Sequence, residues 1–213
     1  MRLAQRCRRL LLGLFAVTLL GCAGPRVFQE KEVIKPVASY SDPVMRDMAQ
    51  MLYPGFLNIR EEFRQQFAQG RLQLTERSLQ VVELGSKSGM PGGYYVAVKA
   101  ELAPDFTETT SFLSQAQHIA EEYLHNVLVS LSRDWNSVFS PPVTGVRVTF
   151  LWEEHRRSAG NRLTFLLKNM DIQTYLNARM TLQKLVDQNW VEGEQENRSL
   201  GRIELNGLGV EPL

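Results

Sequence analysis

Four segments of the chain place apolar side chains at every second position. They are residues 71–84, 93–102, 146–154 and 162–168, and loops rich in glycine, proline or charged residues join them in pairs. Successive side chains of a β-strand point to opposite faces, so this alternation is typical of strands with one buried face and one wet face. The pattern therefore predicts two β-hairpins.

Helical periodicity separates and flanks these hairpins. Residues 109–135 carry one apolar stripe at helical spacing, and residues 171–190 carry a second. Asp42 and Pro43 are a typical helix start, while the Tyr53-Pro54-Gly55 sequence predicts a break, so we expect two short helices before the first hairpin.

The order of these elements predicts an α+β fold. We expect two short N-terminal helices and then a β-β-α-β-β-α arrangement, with an antiparallel or mixed sheet covered by helices on one face. The other face of the sheet is then exposed or meets a partner.

Charge argues against a nucleic-acid partner. The formal net charge is +1, from 24 basic and 23 acidic residues, but four arginines lie in the first nine residues with no acid among them. The rest of the chain is slightly acidic and has no basic stripe, which a nucleic-acid-binding surface requires.

Those four arginines open a segment with the character of an export signal. The eleven apolar residues 10–20 follow them, which is too short a run to span a bilayer as a helix but is typical of a signal peptide. The run ends in Leu19-Leu20-Gly21-Cys22, which resembles the lipobox of bacterial lipoproteins.

This resemblance implies a lipid anchor. In that family the thiol of the cysteine carries a diacylglyceryl group, cleavage occurs just before it, and the new amino terminus is often acylated. Two or three acyl chains on Cys22 would hold the protein stably on a membrane. Ala23 in place of an aspartate favours the outer membrane, with the protein facing the periplasm. The only other cysteine, Cys7, would be removed with the signal peptide, which leaves no disulfide.

These features divide the chain into four parts. We predict a signal peptide over residues 1–21, a lipidated cysteine and flexible tether over 22–41, one periplasmic α+β domain over 42–192, and a polar C-terminal tail over 193–213.

Three clusters suggest chemistry, but each has a simpler interpretation. His118, Glu121, Glu122 and His125 lie on one side of the long helix and contain zinc-ligand types, but their spacing favours solvated charge pairs. The glycine-rich residues 85–93 precede a strand and not a helix, so they do not form a phosphate loop. The charged residues 153–157, with Glu153 and His155, could supply acid–base groups of an envelope hydrolase but are more typical of a solubilising hairpin tip.

We therefore predict a non-catalytic lipoprotein that serves as an accessory or adaptor for another cell-envelope protein, with no metal and no cofactor. The alternative is a lipid-anchored carrier or sensor that holds a small apolar ligand between sheet and helices. Aromatic residues are enriched at protein interfaces, so Tyr95 and Trp152 are candidate partner contacts. Lys99 and Arg147 join them because both fall on the predicted polar face of the sheet.

Overall fold

The strands of this α+β protein form one mixed sheet. The structure is a computed structural model, and it describes residues 33–67, 71–86, 89–103, 111–133, 142–153 and 160–208. The described strands are β1 (Leu72–Leu74), β2 (Gln80–Leu84), β3 (Gly93–Leu102), β4 (Val143–Glu153), β5 (Gly160–Lys168), β6 (Trp190–Gln195) and β7 (Arg198–Arg202).

The sheet has a single parallel pair among its described strands. Its order is β1-β3-β4-β5-β6-β7, and β2 also pairs with β3. β3 and β4 are parallel, and every other pair is antiparallel. A parallel pair needs a long crossover, and the long predicted helix lies between β3 and β4 in the chain. The sheet is therefore mixed, which is one of the two arrangements that the sequence predicted.

The helices cover one face of this sheet. They are α1 (Pro43–Gln66), α2 (Phe112–Ile119), α3 (His125–Ser132), α4 (Asn169–Leu176) and α5 (Leu182–Asp187), and a π-helical turn (Ala120–Leu124) joins α2 to α3. Their buried side chains form one apolar core with Val96, Val148 and Phe165 of the strands. Tyr95 and Leu166 point to the opposite face and form a separate small cluster with Met90.

The two predicted N-terminal helices are one helix. Asp42 caps α1 as expected, since its carboxylate accepts a hydrogen bond from the Met45 N–H at 2.7 Å, but the helix continues through Pro54 to Gln66. A proline inside a helix costs about 3 kcal/mol. Burial of Phe56, Ile59 and Phe63 beyond Pro54 contributes about 1.5–3 kcal/mol for each side chain, which offsets that cost.

The first predicted strand is divided in two. Residues 75–79 separate β1 from β2, and Arg77 adopts a positive φ of 50° within this interval. Both pieces pair with the longer β3. Leu72 of β1 lies opposite Leu102, and Val81 of β2 lies opposite Val96. The structure therefore has three strands before the long helix, whereas the predicted β-β-α-β-β-α order has two.

The C-terminal part of that order is also different. The predicted helix 171–190 is two short helices, and Ala178, at φ 55°, lies in the turn between them. Trp190 begins β6, and β6 and β7 extend the sheet into the range predicted as a polar tail. Glu196 and Asn197 join these strands with positive φ at both positions, as a type I′ hairpin requires.

Part of the predicted tether belongs to the folded domain. Val33 and Ile34 are buried, and Ile34 forms a parallel bridge with Leu79 beside β2. The backbone N–H of Leu79 donates to the Val33 carbonyl at 3.1 Å, and the Lys35 N–H donates to the Leu79 carbonyl at 3.0 Å. Residues 33–35 therefore join the domain at the β2 edge of the sheet.

Candidate functional site

The sheet face that lies opposite the helices is the main candidate surface. We call it the open face, and its members alternate with the core residues along four strands. The open face comprises Tyr95, Ala97, Lys99 and Glu101 of β3, Arg147, Thr149 and Leu151 of β4, Arg162, Thr164 and Leu166 of β5, and Trp190, Glu192 and Glu194 of β6.

Lys99 and Arg147 lie near the middle of this face, as the sequence predicted. Both side chains are partly buried, and neither forms a salt bridge or side-chain hydrogen bond with another described residue. Burial lowers the pKa of Arg147, and the nearby positive charge of Arg162 lowers it further, while Glu192 acts in the opposite direction. Arg147 is thus a partly desolvated cation without a local counter-ion in contact.

Three of the four other charged side chains on the open face have side-chain partners among the described residues. Arg162 forms a salt bridge with Glu194, its register partner on β6. The Trp190 indole N–H donates to Glu192 at 2.9 Å, and the Arg202 guanidinium lies 5.1 Å from the centre of the Trp190 ring. Lys99 and Arg147 therefore differ from Arg162, the other cation of the open face, which has a carboxylate partner.

Two threonines lie beside those cations. The hydroxyl oxygens of Thr149 and Thr164 are 3.2 Å apart, and both residues are almost fully buried. Lys99 is the register partner of Thr149 on β3, and Arg147 is two residues before Thr149 on β4. The polar alternation of β4 and β5 could have placed both threonines on the open face, but their pairing depends on the register between the strands.

Tyr95 and Trp152 are buried. Trp152 points to the helix side, where its ring stacks on Phe112 at a centroid distance of 5.5 Å and its indole N–H donates to Gln115 at 2.8 Å. Tyr95 lies on the open face, but it is 1% exposed, packs with Met90 and Leu166, and donates to the Pro91 carbonyl at 2.6 Å. A partner therefore has no direct access to either ring in this conformation, and both are omitted from the proposed surface.

The π-helical turn separates the two histidines of the long helix. A π turn contains an additional residue, so it shifts the direction of every side chain that follows. His118 Nε2 lies 2.7 Å from Glu122 Oε2, whereas His125 Nδ1 lies 2.8 Å from the Tyr175 hydroxyl on α4. In the described ranges no group of three or more metal-ligating side chains comes together.

A cleft of about 250 Å³ opens at one end of the open face. Glu101, Glu153 and Glu194 contribute to its lining, together with Leu151 and Arg162. Glu153 is exposed at the end of β4, and His155, the base of the hydrolase alternative, lies outside the described residues. The described part of the cleft therefore supplies carboxylates and one arginine.

Cys22 and the rest of the lipobox also lie outside the described residues. Of the helices that the structure does describe, none has the length and apolar character to cross a membrane. Comparison with protein-family models, with curated proteins and with solved structures gave no match to this chain.

Proposed function

We propose that this protein is a non-catalytic adaptor, anchored through acyl chains on Cys22 to the outer membrane and facing the periplasm. Its open face binds another cell-envelope protein. The observation that carries the proposal is that Lys99 and Arg147, two partly buried cations, lie unpaired among the described residues on the sheet face without helices. A partner that supplies acceptors to these groups compensates for their partial loss of water.

The short distance between the anchor and the domain supports the same role. Ten residues lie between Cys22 and Val33, the first described residue, so eleven steps from one Cα atom to the next join the two. A fully extended chain of that length reaches at most about 40 Å. The domain then stays within that distance of the membrane surface, which raises its local concentration around other proteins of the same membrane.

The alternative function, a carrier of a small apolar ligand, has less support from the described residues. A carrier needs free apolar volume between sheet and helices. There the described side chains pack against one another: Tyr123 and Phe150 have ring centroids 6.5 Å apart, and Phe150 and Phe165 lie 6.2 Å apart. All three residues are at most 6% exposed.

Two experiments in intact cells test the proposal. Cys22→Ser should abolish incorporation of labelled fatty acid and should move the protein out of the membrane fraction. A photo-crosslinking amino acid at position 99 should capture a defined envelope protein, whereas the same group at Lys184, exposed on the helix side, should not. The proposal fails if both positions give the same products, or if Cys22→Ser leaves fractionation unchanged.

A further inference from the structure

The unpaired charges of the open face follow its parallel strand pair in a simple order. Along β3, Lys99 precedes Glu101, and along β4, Arg147 precedes Glu153. Residues two apart on a strand share one face, so Glu153 extends the open face at the end of β4. None of these four side chains forms a salt bridge or a side-chain hydrogen bond with another described residue. Each strand of the pair therefore carries an unpaired cation and then an unpaired carboxylate.

The register of β3 and β4 places these charges at four successive levels of the face. Lys99 is the register partner of Thr149, so Arg147 lies one level before Lys99 and Glu153 lies two levels after it. Glu101 lies one level after Lys99, and one level is about 6.7 Å long. Because β3 and β4 are parallel, both cations lie on one side of a line across the strands, and both carboxylates lie on the other side.

This order of charges is complementary to itself. Consider a two-fold axis that runs across the strands, above the sheet and midway between the levels of Lys99 and Glu101. It places β3 and β4 of a second copy over the same strands of the first copy, in the opposite direction. Lys99 then faces Glu101 of the second copy, and Arg147 faces Glu153 of the second copy. Each contact occurs twice by symmetry, so four ion pairs join the two copies.

The geometry of the face permits this contact. Stacked sheets lie about 10 Å apart, a distance that a lysine or arginine side chain and a facing glutamate span together. Both carboxylates are accessible, because Glu101 and Glu153 are exposed and line the cleft of about 250 Å³ at the end of the open face. That cleft therefore offers room for the Arg147 guanidinium of the second copy.

The carboxylates of β6 do not prevent this arrangement. Glu194 is paired with Arg162, and Glu192 accepts a hydrogen bond from Trp190 of the same chain. Sheets twist, so strands far from the contact separate when two sheets pack. β6 is two strands away from β4 in the sheet order, and its carboxylates therefore stay in water.

We infer that two copies of this chain pair through their open faces, with Lys99 against Glu101 and Arg147 against Glu153. An acidic partner would meet the two carboxylates unfavourably, and a basic partner would meet the two cations unfavourably. A second copy presents the reverse order of charge by symmetry. This inference goes beyond the adaptor function, because it names a second copy as an occupant of the same face that an envelope protein has to replace.

Charge reversal tests the pairing. Sedimentation equilibrium of the full chain in a density-matched non-ionic detergent should show a reversible dimer. Lys99→Glu brings carboxylates together and Glu101→Lys brings ammonium groups together, so each change should raise the dissociation constant about tenfold or more. Lys184→Glu reverses an exposed charge on the helix side and should change the dissociation constant less than twofold.

A mixture of the two variants gives the sharpest result. The Lys99→Glu chain and the Glu101→Lys chain carry opposite charges at both facing positions. An equal mixture should therefore form heterodimers about as stable as the wild-type dimer, and a folding defect in either variant cannot produce such a rescue. The inference is overturned if the mixture dimerises no better than either variant alone. It is also overturned if the wild type stays monomeric at about 1 mM, the order of concentration that a short tether supplies.

Chemical crosslinking keeps the inference testable if a reversed charge prevents folding. An equal mixture of unlabelled and nitrogen-15-labelled wild-type protein is treated with a carbodiimide, which joins an amine to a carboxylate in contact with it. Mass spectrometry should find a mixed-isotope link between Lys99 and Glu101, and none that starts from Lys184. The absence of the mixed-isotope Lys99–Glu101 link would overturn the pairing.

The pairing and the adaptor function fail in different ways. If the purified chain dimerises through Lys99 and Glu101 but the crosslinker at position 99 captures only a second copy in cells, the adaptor function is wrong and the pairing stands. If the purified chain is monomeric and position 99 captures a different envelope protein, the pairing is wrong and the adaptor function stands.

Discussion

The Tyr40 hydroxyl accepts a hydrogen bond from the backbone N–H of Val81 at 2.9 Å, across 41 positions of the chain. Tyr40 is 2% exposed, the Arg46 guanidinium donates to its carbonyl, and the Lys35 ammonium lies 4.1 Å from the centre of its ring. Tyr40 thereby joins the segment that precedes α1 to strand β2.

Tyr40→Phe should destabilise the protein by about 1–3 kcal/mol, because the buried N–H of Val81 loses its acceptor while the ring stays in place. Urea unfolding followed by circular dichroism measures this change. Tyr53→Phe removes a hydroxyl from a tyrosine that is 41% exposed, and it should shift the midpoint very little. Equal shifts for the two variants would contradict the role of the Tyr40 hydroxyl.

Gln115→Leu should also cost about 1–3 kcal/mol, because it leaves the buried indole N–H of Trp152 without the Gln115 acceptor. The double variant that combines Gln115→Leu with Trp152→Phe should lose less free energy of unfolding than the two single variants lose together, because the unpaired indole donor is then absent. Chemical unfolding of all four proteins gives the coupling energy. The matched control is Gln173→Leu at an exposed helix position, and strict additivity of Gln115→Leu and Trp152→Phe would refute this prediction.

Pro54→Ala should stabilise the protein by about 1–2 kcal/mol. Alanine restores the backbone N–H that can donate to the Gln50 carbonyl, and it removes the ring that crowds the preceding turn. Part of this gain is offset because proline also restricts the unfolded chain. Far-ultraviolet circular dichroism and urea unfolding test the prediction, with Gln50→Ala as a control for general helix propensity. A lower midpoint for Pro54→Ala would show that α1 needs the proline.

Alkaline pH should destabilise the folded state between pH 10 and about 12. Burial raises the pKa of Tyr123 and of Tyr175 to about 12, and a hydrogen bond with Glu122 adds to the effect at Tyr123. An unfolded tyrosine loses its proton near pH 10, so the folded state holds these protons more tightly and its advantage is lost as pH rises through that window.

Two measurements check this pH dependence. Near-ultraviolet phenolate absorbance should show tyrosines that titrate only near pH 12 while the protein is folded. Unfolding midpoints measured from pH 9 to 12 should fall less steeply for Tyr175→Phe than for wild type. Identical slopes for the two proteins would mean that Tyr175 has the same pKa in the folded and unfolded states.

Local patterns predicted most elements of the fold. The alternation in β3, β4 and β5 and the apolar stripe from Phe112 to Leu131 match the structure, because period alone identifies a half-buried strand or helix face. The break predicted at Pro54 is wrong, because burial on both sides of the proline outweighs a local preference. The split between β1 and β2 was missed because both short strands depend on pairing with β3.

The candidate site was predicted in part. Lys99 and Arg147 could be named because they occupy polar positions in alternating segments. Tyr95 and Trp152 were chosen as aromatic residues on strands near hairpin ends, but both are buried. Tyr95 packs against Leu166, and Trp152 donates to Gln115, and both of these neighbours are distant in sequence. The Thr149–Thr164 pair was not predicted, since it exists only in one register of β4 against β5.

The sequence by itself determined where strands β3, β4 and β5 and the apolar stripe of the long helix lie, which side of each is apolar, and where the lipobox-like Cys22 lies. Periodicity and short motifs record these properties within a few consecutive residues. Only the tertiary structure decided that Arg162 meets Glu194 while Arg147 and Lys99 stay unpaired among the described residues, and that residues 33–40 join the domain. These outcomes depend on strand register and on contacts between distant residues. At such contacts, burial and ion pairing change the free energy of a charged side chain far more than its neighbours in the chain do.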